Sequence, residues 1–79
     1  MYFRCASVVT VDGKPEWHIN LNHVKGYVQH DIMFEGHRAD VPFRVEDDVL
    51  KISLNQSVRH QDYSIHFSFS TVEDLGEQQ

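Results

Sequence analysis

The sequence is poor in cysteine and has no long apolar run, and both shortages exclude classes of protein. Its 79 residues include a single cysteine, Cys5, which can neither close an intramolecular disulfide nor build a cysteine-rich zinc site. Cys5 shares its parity with Phe3, Val9 and Val11, so we expect a buried free thiol. No apolar stretch approaches the roughly 20 residues that cross a bilayer, and the amino-terminal segment lacks the apolar core of a secretory signal. We therefore expect a cytoplasmic protein.

Basic residues are also scarce. Seven lysines and arginines, none adjacent to another, stand against twelve acidic residues, which gives a formal net charge of −5. Because nucleic acids are bound mainly through Lys and Arg contacts to phosphate, we expect no direct nucleic-acid binding. Protonation of all six histidines would change the charge from −5 to +1, so the surface should change character between about pH 7 and pH 5.5.

Known catalytic and metal-binding motifs are missing. There is no HExxH, CxxC or G-x-S-x-G motif, the four glycines are isolated, and the acidic "EDD" segment lacks the pattern of a calcium loop. His18 and His66 would form a three-ligand zinc site with Glu16 only if their strands were neighbours. We expect surface histidines instead, and predict no catalytic residue, no metal ligand and no cofactor.

Strict alternation of apolar and polar residues is the strongest positive signal. It runs through "EWHINLN" (16–22), "RADVPFRV" (38–45) and "YSIHFSFS" (63–70). Successive side chains on a strand point to opposite faces, so each segment predicts a strand with one buried side. The predicted buried sets are Trp17, Ile19 and Leu21; Ala39, Val41, Phe43 and Val45; and Tyr63, Ile65, Phe67 and Phe69. Pro42 lacks an N–H group, which indicates either an edge strand or a proline on the unpaired side of its strand.

Further strands follow from the remaining segments. The run 2–11 favours a strand that forms a hairpin with 16–22 through the four-residue loop "DGKP" (12–15). Segments 23–30 and 31–36 resemble two more short strands, and Gly26 suggests a bulge in the first of them.

Residues 46–62 fit two structures. In "VLKISL" (49–54), Leu50, Ile52 and Leu54 alternate as in a strand. Leu50, Leu54 and Val58 also lie four apart after the acidic "EDD", as in a helix. We favour the strand. The alternative is a helix at about 46–60.

The predicted fold class is therefore all-β. We expect a small antiparallel meander of about six strands, forming a barrel or a two-layer sandwich. The alternative is an α+β fold with the 46–60 helix packed on a curled sheet. Residues 2–71 would form a single domain, and 72–79 a short helical turn, begun by the capping-box sequence "STVED", with a loose acidic tail.

If the polar faces of these strands function, they function as a surface. Most of the nine aromatics are explained as core, whereas Tyr2 and Tyr27 fall off the buried parity. The acidic turn 46–48 would suit a basic partner. The candidate protein-binding residues are Tyr27, His18, Asn20, Glu46, Asp47, Asp48, Ser64, His66 and Ser68.

Three functions remain open for such a chain. The favoured one is a non-enzymatic protein-binding module, an inhibitor, adaptor or immunity-type factor that occludes a larger partner and is encoded by a phage or mobile element. Its exposed edge strands would also allow a homodimer. The alternatives are a small ligand or metal binder that uses a histidine-bearing sheet face, and an acidic mimic of nucleic acid that blocks a nucleic-acid-binding enzyme.

Overall fold

A computed structural model describes residues 1–70 and confirms the all-β class. The strands are β1 (Tyr2–Arg4), β2 (Val9–Val11), β3 (Lys14–Asn20), β4 (Tyr27–Phe34), β5 (His37–Arg38), β6 (Phe43–Glu46), β7 (Val49–Ser53) and β8 (Tyr63–Phe69). Two short 3-10 turns, Leu21–Val24 and His60–Asp62, are the only helical segments in this part of the chain. Neither of these segments is long and apolar enough to cross a membrane.

The strands form two antiparallel four-stranded sheets that do not close into a barrel. Sheet I has the order β1-β8-β4-β5, and sheet II has the order β2-β3-β7-β6. The predicted sandwich is therefore observed, but its order is not a simple meander. The amino-terminal run is divided between the sheets, because β1 pairs with β8 while β2 pairs with β3.

The core lies between the two sheets and includes most of the residues that alternation predicted to be buried on β3, β7 and β8, together with Ile32 of β4, for which no burial was predicted. Sheet II contributes Trp17, Ile19, Leu50 and Ile52, and sheet I contributes Ile32, Tyr63, Ile65 and Phe67. Cys5 belongs to the same cluster, as predicted, and burial raises the pKa of its thiol to about 11. The thiol is thus kept in its neutral, unreactive form at physiological pH.

Three hairpins close through two-residue turns in which both residues have positive φ. These turns are Asp12–Gly13, Glu35–Gly36 and Asp47–Asp48. The twist of such turns matches that of the flanking strands. The predicted hairpin between β2 and β3 is confirmed with a shorter loop than expected, since Val11 pairs directly with Lys14.

Several predicted segments have different boundaries. The two short strands predicted at 23–30 and 31–36 are replaced by a single strand, β4, at Tyr27–Phe34. Its register shifts between Tyr27 and Gln29, just after Gly26, whose φ is +86°. Segment 38–45 is interrupted between β5 and β6, where the chain crosses from sheet I to sheet II. The edge strand that Pro42 indicated is confirmed, since β6 is the last strand of sheet II. Pro42 lies just before β6, and its carbonyl accepts the Ser53 N–H at 2.9 Å.

The region 46–62 is where the two structural alternatives differed. The favoured strand is confirmed as β7, whereas a helix at 46–60 is wrong because a tight turn at Asp47–Asp48 pairs β6 with β7. Leu21, predicted to continue β3, instead begins a 3-10 turn. The predicted helical turn and tail at 72–79 lie outside the described residues.

Candidate functional site

The edge strand β6 presents apolar side chains to solvent on the side of sheet II that faces the core. All four of its residues are exposed. Phe43 and Val45 are 52% and 50% exposed, although they pair with Ile52 and Leu50, which are both 0% exposed. Sequence alternation predicted that Phe43 and Val45 would be buried, and that prediction is wrong. Sheet I covers β7 but leaves β6 largely uncovered.

The backbone of β6 also has unpaired hydrogen-bonding groups. In an antiparallel pair, hydrogen-bonded and non-hydrogen-bonded positions alternate. Pro42 and Ser53 lie opposite each other, and the Ser53 N–H donates to the Pro42 carbonyl, so theirs is a hydrogen-bonded position. Every second residue after Pro42, namely Arg44 and Glu46, is therefore hydrogen-bonded to β7. The N–H and C=O groups of Phe43 and Val45 consequently point away from β7, toward the open edge. Such a row of free groups is a template for another strand.

A histidine of sheet I supports one end of this edge. The His30 ring packs edge-on against Phe43 with ring centroids 4.7 Å apart, and it also lies 5.9 Å from Tyr27. His30 is half-buried, and this burial lowers the pKa of its imidazole. The neutral ring therefore acts as part of the apolar surface beneath Phe43.

The opposite side of sheet II carries a network of charged side chains. Arg44 on β6 reaches across β7 and donates two hydrogen bonds to the Glu16 carboxylate, at 2.9 and 3.1 Å. The same guanidinium donates to Glu46 through Nε at 2.8 Å, and Lys51 bonds to Glu46 at 3.1 Å. His18 lies 3.0 Å from Glu16. The network ties the edge strand to the interior strand β3.

These contacts shift the pKa values of the acids. The hydrogen bonds from Arg44, with a smaller contribution from His18, lower the pKa of the buried Glu16 carboxyl to about 2. The pKa of Glu46 is also lowered, first by Arg44 and then by Lys51. The bonded carboxylates in turn raise the pKa of Arg44. The two carboxylates and the guanidinium are therefore charged and paired at neutral pH.

The turn that joins β6 to β7 differs from the other two-residue turns. Gly13 and Gly36 occupy the second position of their turns, whereas this one has Asp48, with φ at +62°. A non-glycine residue in this left-handed region is strained. Asp47 and Asp48 are both exposed, and the Asp48 carbonyl accepts the Leu21 N–H at 2.9 Å. Together with Glu46 they form the acidic turn that the sequence predicted.

The candidate residues of β8 do not form one uniform exposed face. His66 is exposed as expected, but Ser64 is buried, and its hydroxyl accepts a hydrogen bond from the Tyr2 phenol at 2.7 Å. Ser68 is half-buried. Tyr27, expected to be exposed, packs edge-on against Phe67 at 5.0 Å, because the bulge after it turns its ring toward the core.

The candidate residues of β3, His18 and Asn20, lie on the outer face of sheet II. His18 is half-buried in the charged network described above, and Asn20 is exposed with its side-chain oxygen accepting the Asn22 N–H at 2.9 Å. His18 and His66 therefore belong to different sheets and are not neighbours. Within residues 1–70, no cluster of three or more His, Cys, Asp or Glu side chains has the arrangement of a metal site.

A groove of about 610 Å³ lies beside the charged network. Glu16 and Arg44 line it together with Lys14, Pro15 and Gln56, and no histidine belongs to its lining. A smaller concavity of about 240 Å³ is lined by His18, Asn20 and His23. The alternative of a ligand site on a histidine-bearing face therefore stays a prediction.

The sequence reasoning missed Phe43, Val45 and Arg44 as site residues. Pro42 had indicated an edge strand, and that was the available signal for the first two. Arg44 shares its parity with Glu46, a local signal that could have indicated this pair, but its contact with Glu16 crosses 28 positions of sequence. Comparisons with protein-family models, with curated proteins and with solved structures found no match to this chain.

Proposed function

We propose that this chain is a non-enzymatic protein-binding module that docks onto a larger protein through the open edge of β6. Its role would be that of a small inhibitor, adaptor or immunity-type factor, of the kind that phages and mobile elements encode. The observation that carries this proposal is the exposure of Phe43 and Val45 on an edge with free backbone groups. Strand addition at such an edge is a common mode of protein recognition.

The energetics of this edge favour association. A partner strand would satisfy the outward N–H and C=O groups of Phe43 and Val45 while covering their half-exposed side chains. Backbone bonds of this kind supply affinity, and burial of apolar surface adds to it. The Arg44 network holds β6 in place beforehand, so little ordering is needed on binding.

The acidic turn supplies selectivity. Glu46 is partly neutralised by Arg44 and Lys51, but neither Asp47 nor Asp48 takes part in an ion pair or side-chain hydrogen bond with residues 1–70. A partner with basic residues beside its docking strand would be attracted and oriented by this turn.

The experiment is a quantitative affinity capture from lysate of the native host, comparing the wild-type chain with Val45→Lys. A lysine at this position introduces a charge into the apolar edge and should abolish capture of a stoichiometric partner. Val9→Lys is the matched control, because Val9 is 46% exposed on β2, the opposite edge strand of the same sheet.

Capture that Val45→Lys leaves unchanged would contradict the proposal. The His66→Ala variant then shows where the partner binds, and the result to look for is capture that His66→Ala abolishes while Val45→Lys does not. That result would move the binding surface to the outer face of sheet I.

A further inference from the structure

We propose that a second copy of this chain occupies the β6 edge when no partner is bound, with the two β6 strands antiparallel about a two-fold axis at Val45. This inference rests on the proposed function in one respect, since it takes β6 to be the pairing edge. It adds the identity of the competing occupant.

The backbone suits this arrangement. The N–H and C=O groups of Val45 point outward, so two copies of Val45 placed opposite each other form a hydrogen-bonded pair. Each valine then donates one N–H to the carbonyl of the other. A two-fold axis at this position makes the contact self-complementary, as a symmetric dimer requires.

The side chains next to Val45 have opposite charges. With the axis at Val45, Arg44 of one copy lies opposite Glu46 of the other, and the symmetry repeats this pair. Opposite charges directly across an antiparallel pair are stabilising, and like charges are destabilising. Moving the axis by one residue, to Arg44, would place the two guanidinium groups opposite each other. The charge pattern of β6 thus selects the Val45 register.

The pairing also covers the apolar side chains of β6. The two Val45 side chains meet directly, and each Phe43 ring lies diagonal to the opposing valine, within reach of an aromatic side chain. Both residues are about half exposed in the single chain. The pairing therefore covers on both copies the apolar surface that sheet I leaves open.

The interface built by a four-residue strand is small. Interfaces that bury less than about 1,000 Å² are weak and transient, so we expect a dimer that dissociates readily. Because it uses the same edge as a larger partner, dimerisation and partner binding exclude each other. Self-association would thus protect an aggregation-prone edge until a partner displaces the second copy.

Sedimentation velocity of the purified chain from roughly 10 µM to 1 mM, a range suited to weak association, tests the proposal. The wild-type protein should shift from monomer to dimer, and Val9→Lys should behave identically. Val45→Lys should remain monomeric with an unchanged thermal unfolding profile. A wild-type chain that is monomeric at the highest concentration overturns the proposal, as does a dimer that survives in folded Val45→Lys.

Cysteine cross-linking tests the register. The two thiols that Val45→Cys introduces, one on each copy, would lie opposite each other at a Cα separation of about 5.5 Å, within the range that a disulfide spans. Oxidation should give a covalent dimer for this variant and not for Arg44→Cys. Cross-linking of Arg44→Cys alone would overturn the Val45 axis. Cys5 is buried and serves as an internal background in both variants.

The two proposals fail in different ways. A monomeric wild-type chain whose capture of a partner is abolished by Val45→Lys retains the proposed function and eliminates the dimer. Conversely, a dimer that Val45→Lys dissociates, combined with partner capture that the same variant leaves intact, supports the dimer and contradicts β6 as the partner's docking edge.

Discussion

Strands β6 and β7 are adjacent, antiparallel and joined by a two-residue turn, yet their core-facing residues have opposite environments. Leu50 and Ile52 on β7 are 0% exposed, whereas their cross-strand partners Val45 and Phe43 are about half exposed. Both pairs face the same side of sheet II. The difference arises because the opposing sheet packs over the central strands and covers β6 only in part, where His30 contacts Phe43.

On the outer side of sheet II, the edge strand is not left open but is bonded to the interior of the sheet. Arg44 of the exposed strand donates two hydrogen bonds to Glu16, one of the two buried polar or charged residues among those described. The edge strand is thus anchored by charge on one side and left open on the other. A strand held rigidly with an uncovered apolar side is suited to binding.

The largest expected effect is on stability and comes from truncating Leu50, the buried member of the cross-strand pair Leu50–Val45. We expect Leu50→Ala to lower the free energy of unfolding by about 2–5 kcal/mol, because it leaves a cavity in the core. Val45→Ala, at its half-exposed partner, should cost less than about 1 kcal/mol. Urea denaturation of both variants measures this difference. Equal losses would mean that the two positions are equally buried, and the contrast between the strands would not hold.

The stability that the Arg44–Glu16 pair contributes should depend on pH in the acid range, whereas that of an exposed ion pair should not. The folded-state pKa of Glu16 is lowered from 4.5 to about 2 by Arg44, so its contribution to stability is complete above about pH 4.5 and is lost as the pH falls toward 2. We expect Arg44→Ala to be less stable than wild type at pH 7, with a difference that shrinks over this acid range. Urea denaturation at a series of pH values measures it.

The control for this measurement is Arg38→Ala, since Arg38 is a largely exposed partner of Asp31 on sheet I. Exposed pairs contribute little, so this variant should follow the wild type at both neutral and acidic pH. A pH-independent deficit in Arg44→Ala would show that the arginine acts through packing alone.

The smallest expected effect concerns the turn between the two strands. Asp48→Gly should raise the free energy of unfolding by about 0.5–1 kcal/mol, because glycine adopts a positive φ without strain. The reverse change, Gly36→Asp, is made at the equivalent position of another hairpin. An added Cβ there would meet no atom within 4 Å, so the positive φ alone should lower the free energy of unfolding, by a similar amount. Thermal unfolding measures both, and effects of the same sign would refute the strain argument.

Alternation predicted which side of each strand faces the core and predicted much less about burial. Trp17, Ile19, Leu50 and Ile52 are buried as their parity required. Phe43 and Val45 have the correct parity, but burial also depends on how far the opposing sheet extends, which no local pattern encodes. Tyr27 was misplaced because a single bulge reverses the parity of the residue before it.

The polar contacts were harder to predict for a related reason. The types of Glu16 and Arg44 were visible in the sequence, but their contact depends on β3 and β6 lying on either side of β7. The same limitation applies to the hydroxyl pair of Tyr2 and Ser64, which are separated by 62 positions. The hairpin between β2 and β3 was predicted correctly because it depends on neighbouring residues, although its loop is two residues long and not the four expected.

The central position of β8 in sheet I has a consequence for biosynthesis. Sheet II is built entirely from residues 9–53, whereas sheet I cannot assemble until residues 63–69 are inserted between β1 and β4. During translation, β1 therefore emerges before its pairing partner and stays unpaired until β8 has been made. Such high contact order slows folding, so insertion of β8 should be the step that limits the maturation of the nascent chain.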